Sequence, residues 1–524
     1  MDNDRLYDAL MKSQGFEEVS KETAIEMVGH LIDLSCDLNR ALGTTRALEW
    51  CDMLEQRDLS NSEAALLAYF RANAWANRQR EKRPDHMSTW AWEQPETQEQ
   101  VLHLRRAVNG PGFDELNALR RCQVLTNLAN QLNTVGRFVD ALEYWDRALA
   151  INADFGMALG NRGYGLVQYA KALYDQGHRA LFLLRAHEGL SAALSSRAEY
   201  EGAYEDARAF FAKERIGVEN AVDVARVSRS IDLHSHSLGS SEEEWRYRRW
   251  CLQNRLFLNP LNDLGTHSIA GRDVLMLPNF VTPLEEPPTL IGFFNQMKQE
   301  FVSARWLFFE GAHATEVHFS DRDVRLYNTL DYPSYALAVE KVKAAYRIAY
   351  SIFDKIGFFL NEYMALGVEP QRVYFKTIWY QRYEASNRPI RPEFEQSENW
   401  PFRGLFWLSK DLFDEEFRAI TEPDAQALYE IRNHLEHKYL KIHEMFVPTA
   451  DRESSDSWLT DRLAYSVRRE DLKAKTLRLL KLSRAGLIYL SLGMNRVELR
   501  RKKAKGESLV VPMSLDVWED DWKR

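Results

Sequence analysis

The sequence predicts an all-α chain, and three observations carry that expectation. Gly (25) and Pro (16) are sparse in 524 residues, which favours helix over turn-rich β structure. Long stretches place apolar residues at i, i+3 and i+4, the spacing that gives a helix one buried face. Period-two alternation is partial and confined to residues 313–328, where short extended pieces are expected. At 45% hydrophobic the chain can bury a large core, and it is too long for one ordinary domain.

The first element with a clear pattern spans residues 121–155. Leu125, Leu128, Ala129, Leu132, Gly136, Ala141, Trp145 and Ala148 fall where two short helices joined at Gly136 would meet. Small residues (Ala129, Ala141, Ala148) allow close approach, and Leu132 and Trp145 fill the gaps. This unit resembles a tetratricopeptide repeat, with Ala153 where that family usually has Pro. Weaker relatives flank it at 47–80 and 156–195, and such units must stack to cover their apolar faces. The stack is either a concave partner-binding surface or plain architecture, at equal odds.

A polar break follows at 231–243 (IDLHSHSLGSSEE). Helical pattern resumes at 290–311, then strongly from Tyr335 to Leu366 through Val339, Val342, Tyr346, Ala349, Ile352, Ile356, Phe359 and Tyr363. A second long helix is expected from Pro423, behind Thr421 and Glu422, to about Met445, with Pro448 ending it. A third runs from Arg469 to about Gly493, and the chain closes on an acidic, aromatic tail. The expected division is 1–230 helical repeats, 231–330 a connecting segment, 331–510 a helical bundle and 511–524 a tail.

Other features exclude function classes. Cys36, Cys51, Cys122 and Cys251 lack paired spacing, so buried reduced thiols are expected rather than disulfides or a zinc site. No signal-peptide pattern opens the chain and no apolar run nears the roughly 18 residues of a membrane span, so a cytosolic location is expected. There is no Walker loop, dinucleotide glycine fingerprint or H-E-x-x-H, so no cofactor is expected. A net charge of −9 does not favour a general nucleic-acid binder, though a local basic patch can still hold a phosphate backbone.

The second long helix carries Arg432-Asn433-x-x-x-His437. RNA cleavage without metal uses the 2′-hydroxyl as nucleophile. It needs a base for that proton, an acid for the leaving 5′-oxygen, and a cation for the phosphorane. Imidazole suits both proton roles near neutrality, and a guanidinium offers a permanently charged fork to phosphate oxygens. Five residues advance a helix by about 500°, leaving Arg432 and His437 about 140° apart. One chain thus supplies one of each, imperfectly aligned, and a two-fold dimer would supply separate acid and base. Asn433 is read as a phosphate or positioning contact, or as a plain surface residue.

A bare Arg-to-His spacing recurs by chance. Arg229 to His234, with His236 also in range, is such a match at the edge of the polar break. Around Arg432 the likeness is wider, taking in WCLQNRLFLNPLNDL (250–264), FFNQMKQEFVSARWLFFEG (293–311) and YSIFDKIGFFLNEY (350–363). Together these resemble the HEPN superfamily of ribonucleases, in the bacterial branch named after a leptospiral protein, where tetratricopeptide-like repeats precede the HEPN domain. The resemblance implies a helical bundle with the motif on an inner helix, and a metal-independent endoribonuclease that works as a homodimer. It also implies Arg432, His437 and Asn433 as site residues, and roles in toxin systems or bacteriophage defence. The expected RNA contacts are Lys438, Lys441, Arg469 and Lys473, the last two opening a basic stretch (468–505) that is equally well a solvated helix face. The expected partners are RNA, a second copy, and a protein trigger or inhibitor at the repeats. Competing readings remain: a metal site built on His434, His437 and His443, a non-catalytic scaffold, and a nucleotide- or RNA-binding module; Asp354 and Lys355, which match the branch, are read as an interhelical ion pair.

Overall fold

In the computed structural model the described residues are 3–13, 15–16, 19–82, 90–202, 204–283, 285–384, 387–413, 423–444, 461, 463–505 and 512–523. The side chains at 423–426, 437 and 505 lie outside that description. Among the described residues there are eighteen α-helices and one two-stranded sheet, so the chain is all-α with minor strands. No described helix is long and apolar enough to cross a membrane.

The N-terminal half is a run of helices: α1 (Asn3–Lys12), α2 (Lys21–Asp37), α3 (Ala41–Glu55), α4 (Asn61–Lys82), α5 (Pro95–Asn109), α6 (Ala118–Thr134), α7 (Phe138–Ile151), α8 (Gly156–Ala172), α9 (Gln176–Leu194), α10 (Glu205–Ala221) and α11 (Val224–Ser230). The α6–α7 hairpin forms for the reasons its sequence suggests. Asn117 caps α6 by accepting from the Arg120 amide. Gly136 turns the chain at φ +89°, a left-handed conformation that favours glycine. Ala129, Ala141 and Ala148 are buried at the crossing, with Leu132 and Trp145 packed around them.

The C-terminal half begins with α12 (Glu242–Gln253) and α13 (Thr289–His313), and continues with α14 (Leu337–Tyr363), the single turn α15 (Pro392–Glu395) and α16 (Trp400–Phe413). Then come α17 (Pro423–His437), β1 (Tyr439–His443), β2 (Ala464–Arg468) and α18 (Arg469–Lys505). Through Leu479–Met494 nearly every side chain of α18 is buried, as expected of a helix enclosed by others rather than lying on a surface. It packs against α13, α14 and α16 and reaches α8.

Three expectations are corrected here. The second long helix stops at His437 instead of running to Met445, because residues 439–443 form β1 and pair in parallel with β2. Met445, Pro448, Thr421 and Glu422 lie outside the described residues. Residues 314–328 contain one 3-10 turn, Phe319–Asp321, and no strand. The last helix is longer than expected, extending to Lys505.

The pattern boundary near residue 230 is not a boundary in packing. Repeat helices and bundle share one continuous core. α16 lies against the α6–α7 turn so closely that a Cβ on Gly404 would overlap the Gly136 carbonyl. Asp411 of α16 is buried and takes both Arg105 guanidinium nitrogens at 2.8 and 3.0 Å, and it also pairs with Arg137. Arg137 donates in turn to Asp140 at 2.9 Å, and the Tyr489 hydroxyl of α18 donates to the same carboxylate at 3.1 Å. A second buried pair, Arg484 with Asp263 at 2.6 Å, is shared with Tyr169 of α8 at 2.9 Å. Each of these charges would be costly to bury alone, so repeats and bundle hold one arrangement together.

Candidate active site

α17 has one apolar face and one polar face. Leu428, Ile431 and Leu435, spaced three and four apart, are buried against the bundle. From α14 the Tyr346 hydroxyl donates to the Leu428 carbonyl, and Arg347 donates to the Leu435 carbonyl. The second contact satisfies an acceptor in the last turn, where the helix has no amide left to offer. Two adjacent side chains of α14 thus hold α17 at carbonyls seven residues apart.

Arg432 stands beside that buried face, half-buried. Its guanidinium lies 5.5 Å from the Tyr350 ring centroid, and one Nη donates to the Asn433 side-chain oxygen at 3.3 Å. Among the described residues it forms no ion pair, unlike Arg105, Arg137, Arg305 and Arg484, each matched to a buried or half-buried carboxylate. One turn beyond Tyr350 on α14 is Asp354. Burial pushes its carboxyl pKa up, while the Phe375 amide and the Arg432 charge pull it back. Gly357 lets the Phe375 backbone come this near, since a Cβ there would stand 3.1 Å from the Phe375 nitrogen. Lys355 does form an interhelical ion pair, with Glu300 of α13, but Asp354 is not part of it. Tyr350, which the sequence reading passed over, and Asp354, which it read as half of an ion pair, are the α14 residues that stand beside Arg432. The available signal was a carboxylate on the buried side of an otherwise apolar register.

The backbone of His437 ends α17, and helical register puts that position one turn beyond Asn433. Its side chain lies outside the described residues. The neighbouring histidines are committed elsewhere. The His434 Nδ1 donates to the Glu430 carbonyl at 2.8 Å, and its ring stacks on Tyr465 at 5.0 Å. His443 is buried, with Nδ1 at 3.1 Å from the Asp331 carbonyl and Nε2 at 3.3 Å from the Ser466 hydroxyl. Burial pushes its pKa down. Among the described residues no three His, Cys, Asp or Glu side chains converge as a metal would require.

The four expected RNA contacts separate. Lys438 is exposed just past α17. Lys441 is corrected: it is buried on β1 and held by Asp331 at 2.6 Å and Asp461 at 3.0 Å, so both its charge and its access are already used. Arg469 pairs with Glu444 at 2.7 Å and Lys473 with Glu470 at 2.7 Å. The second Arg-to-His match is split between elements. Arg229 ends α11 and donates to Ala225 within its own helix, while His234 sits in the following loop against His267 at 5.3 Å.

Comparison with known proteins adds one finding. Residues 281–497 match the family described as LA2681-like HEPN, a span running from just before α13 through most of α18 and including the motif. No curated protein and no solved structure matches the chain. The match takes in α13, which the sequence pattern had assigned to a connecting segment. The motif helix, with Arg432 and Asn433, thus lies inside the part of the chain that is similar to the LA2681-like HEPN family.

Proposed function

We propose that the chain is a metal-independent endoribonuclease in which Arg432 and His437 act from two copies meeting across a two-fold axis. The observation that carries this reading is Arg432 itself. It is a half-buried guanidinium held over Tyr350 and beside Asn433; it forms no ion pair among the described residues, and the carboxyl its charge acts on, Asp354, is one whose pKa burial raises. Such a cation is poised for an anion from outside the chain, and a phosphodiester supplies one. In the proposed step the base takes the 2′-hydroxyl proton, the resulting oxygen attacks phosphorus, and the P–O5′ bond breaks. A 2′,3′-cyclic phosphate forms and the acid protonates the departing 5′-oxygen. His437 supplies imidazole for one of these roles and its symmetry mate the other, while Arg432 and Asn433 hold the phosphate oxygens.

What supports a second copy is the segment from Val317 to Tyr335. Val317, Phe319, Val324, Leu326, Tyr327, Leu330, Tyr332 and Tyr335 are all exposed, Tyr327 at 95%. A monomer rarely leaves that much apolar surface to water. The segment is rooted beside the motif, where the Ser334 amide donates to Ile442 of β1 at 2.6 Å. The repeats, locked to α16 through Asp411, are the proposed seat of a trigger or inhibitor. A toxin or bacteriophage-defence role rests on the resemblance alone. The test in cells is expression of the wild-type chain beside Arg432→Ala and His437→Ala, following host growth and RNA integrity. Wild type should degrade RNA under the triggering condition and both variants should spare it. Identical behaviour of all three would overturn the reading.

A further inference from the structure

α12 begins with Ser241 capping the Glu244 amide and carries Glu242, Glu243 and Glu244 in its first turn. Beyond that turn, rings and cations alternate: Trp245-Arg246-Tyr247-Arg248-Arg249-Trp250. The inward members are committed. The Tyr247 hydroxyl accepts from Arg305 at 2.8 Å, and Arg248 pairs with Glu244 at 2.9 Å and bonds the Gly271 carbonyl at 3.3 Å. The outward members are not. Arg246 and Arg249 are exposed and form no ion pair among the described residues. Arg249 covers one face of the Trp245 indole at 4.9 Å, and that ring is still 43% exposed.

These residues face the C-terminal end of α13. Together with Trp250, Gln253, Phe309 and His313 they line an open cleft of about 300 Å³. The His313 Nδ1 donates to the Phe309 carbonyl at 2.8 Å and its ring lies 4.5 Å from Phe309, leaving Nε2 as its remaining polar atom. Three carboxylates around the two helices are occupied: Glu244 by Arg248 at 2.9 Å, Glu310 by Lys341 at 3.1 Å, and Asp520 of the tail, whose charge reaches Arg248, by Lys523 at 2.6 Å. Free cations around an available aromatic face are what a single strand of nucleic acid recognises, since every base has a ring face and every linkage an anion.

The cleft also lies on a route to the motif. Arg469 reaches the Gly311 carbonyl, two residues before His313, at 3.5 Å, and pairs with Glu444 at 2.7 Å. Glu444 directly follows β1, and β1 starts two residues after α17 ends. At about 3.3 Å per residue, β1 places Arg469 on the order of 20 Å from the end of the motif helix. A dinucleotide cannot bridge that span, and a strand of about ten nucleotides can.

We propose that this cleft is a second RNA site, separate from the motif, in which a base stacks on Trp245 and the flanking phosphates pair with Arg246 and Arg249. It rests on the reading of the chain as an RNA enzyme only in treating both sites as serving one strand; the binding itself is measured without cleavage. The probe is a fluorescein-labelled 20-nucleotide single-stranded RNA, titrated by anisotropy into full-length protein carrying His437→Ala. Trp245→Ala should weaken binding about tenfold, within the range for losing one stacked base. Arg246→Ala with Arg249→Ala should lower the salt slope of log K by about 1.4, two phosphates at about 0.7 each. Arg372→Ala, on a remote exposed turn, serves as the charge control. Unchanged affinity in both cleft variants, or an equal loss in the control, would overturn the proposal. If RNA is never cleaved but the cleft variants lose binding, the catalytic reading fails and this site stands. If long and dinucleotide substrates are cleaved equally well by wild type and Trp245→Ala, the site fails and catalysis stands.

Discussion

Asp411→Asn is the perturbation that most directly probes how repeats and bundle are joined. The carboxylate is buried between two buried guanidiniums, bidentate to Arg105 and bonded to Arg137. Burial alone would push its pKa up, and the two arginines more than offset that, holding it below the usual carboxylate range. Asparagine keeps the shape and removes the charge, so Arg105 and Arg137 both lose the Asp411 carboxylate while Arg137 keeps its pair with Asp140. Losing one partner of a buried charge set costs about 3–5 kcal/mol, most of it the stranded cations rather than the lost attraction. The acid side has a definite sign. A depressed Asp contributes stability that is full above its unfolded pKa of about 4 and is lost as pH falls through the lower folded value. Wild type should therefore lose stability below about pH 4 more steeply than Asp411→Asn does. Urea unfolding at pH 7 and at stepped acid pH, followed by far-UV circular dichroism, reads both effects. A variant within about 1 kcal/mol of wild type at pH 7, or an equally steep acid limb, would refute the argument. So would a wild-type protein whose repeat and bundle unfold in two separate transitions.

Three further outcomes follow from the same geometry. Gly404→Ala should cost about 1–3 kcal/mol by forcing α16 away from the Gly136 turn, measured by urea midpoint, and a neutral result would mean the two backbones are not in contact. Leu428→Ala, on the buried face of α17, should cost about 2–5 kcal/mol and loosen the motif helix, seen as faster hydrogen exchange across residues 427–437. Lys441→Met should lower stability by leaving Asp331 buried without its cation, yet change RNA affinity in the His437→Ala background less than twofold; a large loss of affinity would restore Lys441 as an RNA contact.

Sequence pattern made some of this structure legible and hid the rest for physical reasons. α14 and the α6–α7 hairpin were readable because each buries one face against neighbours close in sequence, which leaves a 3.6-residue trace. α16 left none. Its Arg403, Ser409, Lys410 and Asp411 are buried as well as its rings and leucines, because repeats and bundle enclose it on every side. The helix pattern through Leu435 seemed to continue into Tyr439-Leu440-Lys441-Ile442, but that run pairs with residues 464–468, and no local window contains its partner. Lys441 read as a surface cation for the same reason: Asp331 lies 110 residues away. Arg432 and Asn433 can be proposed from sequence because the motif is short and sits on one helix. Tyr350 and Asp354 reach the site only once α14 packs beside α17.

The central claim is settled most directly by incubating purified wild-type protein with end-labelled single-stranded RNA in excess EDTA and identifying the product termini, beside Arg432→Ala and His437→Ala. The account predicts fragments ending in 2′,3′-cyclic phosphate from wild type, with rates at least a hundredfold lower in each variant, the scale for removing one transition-state contact or a proton-transfer group. Cleavage that EDTA abolishes, or that either variant retains at the wild-type rate, would contradict it.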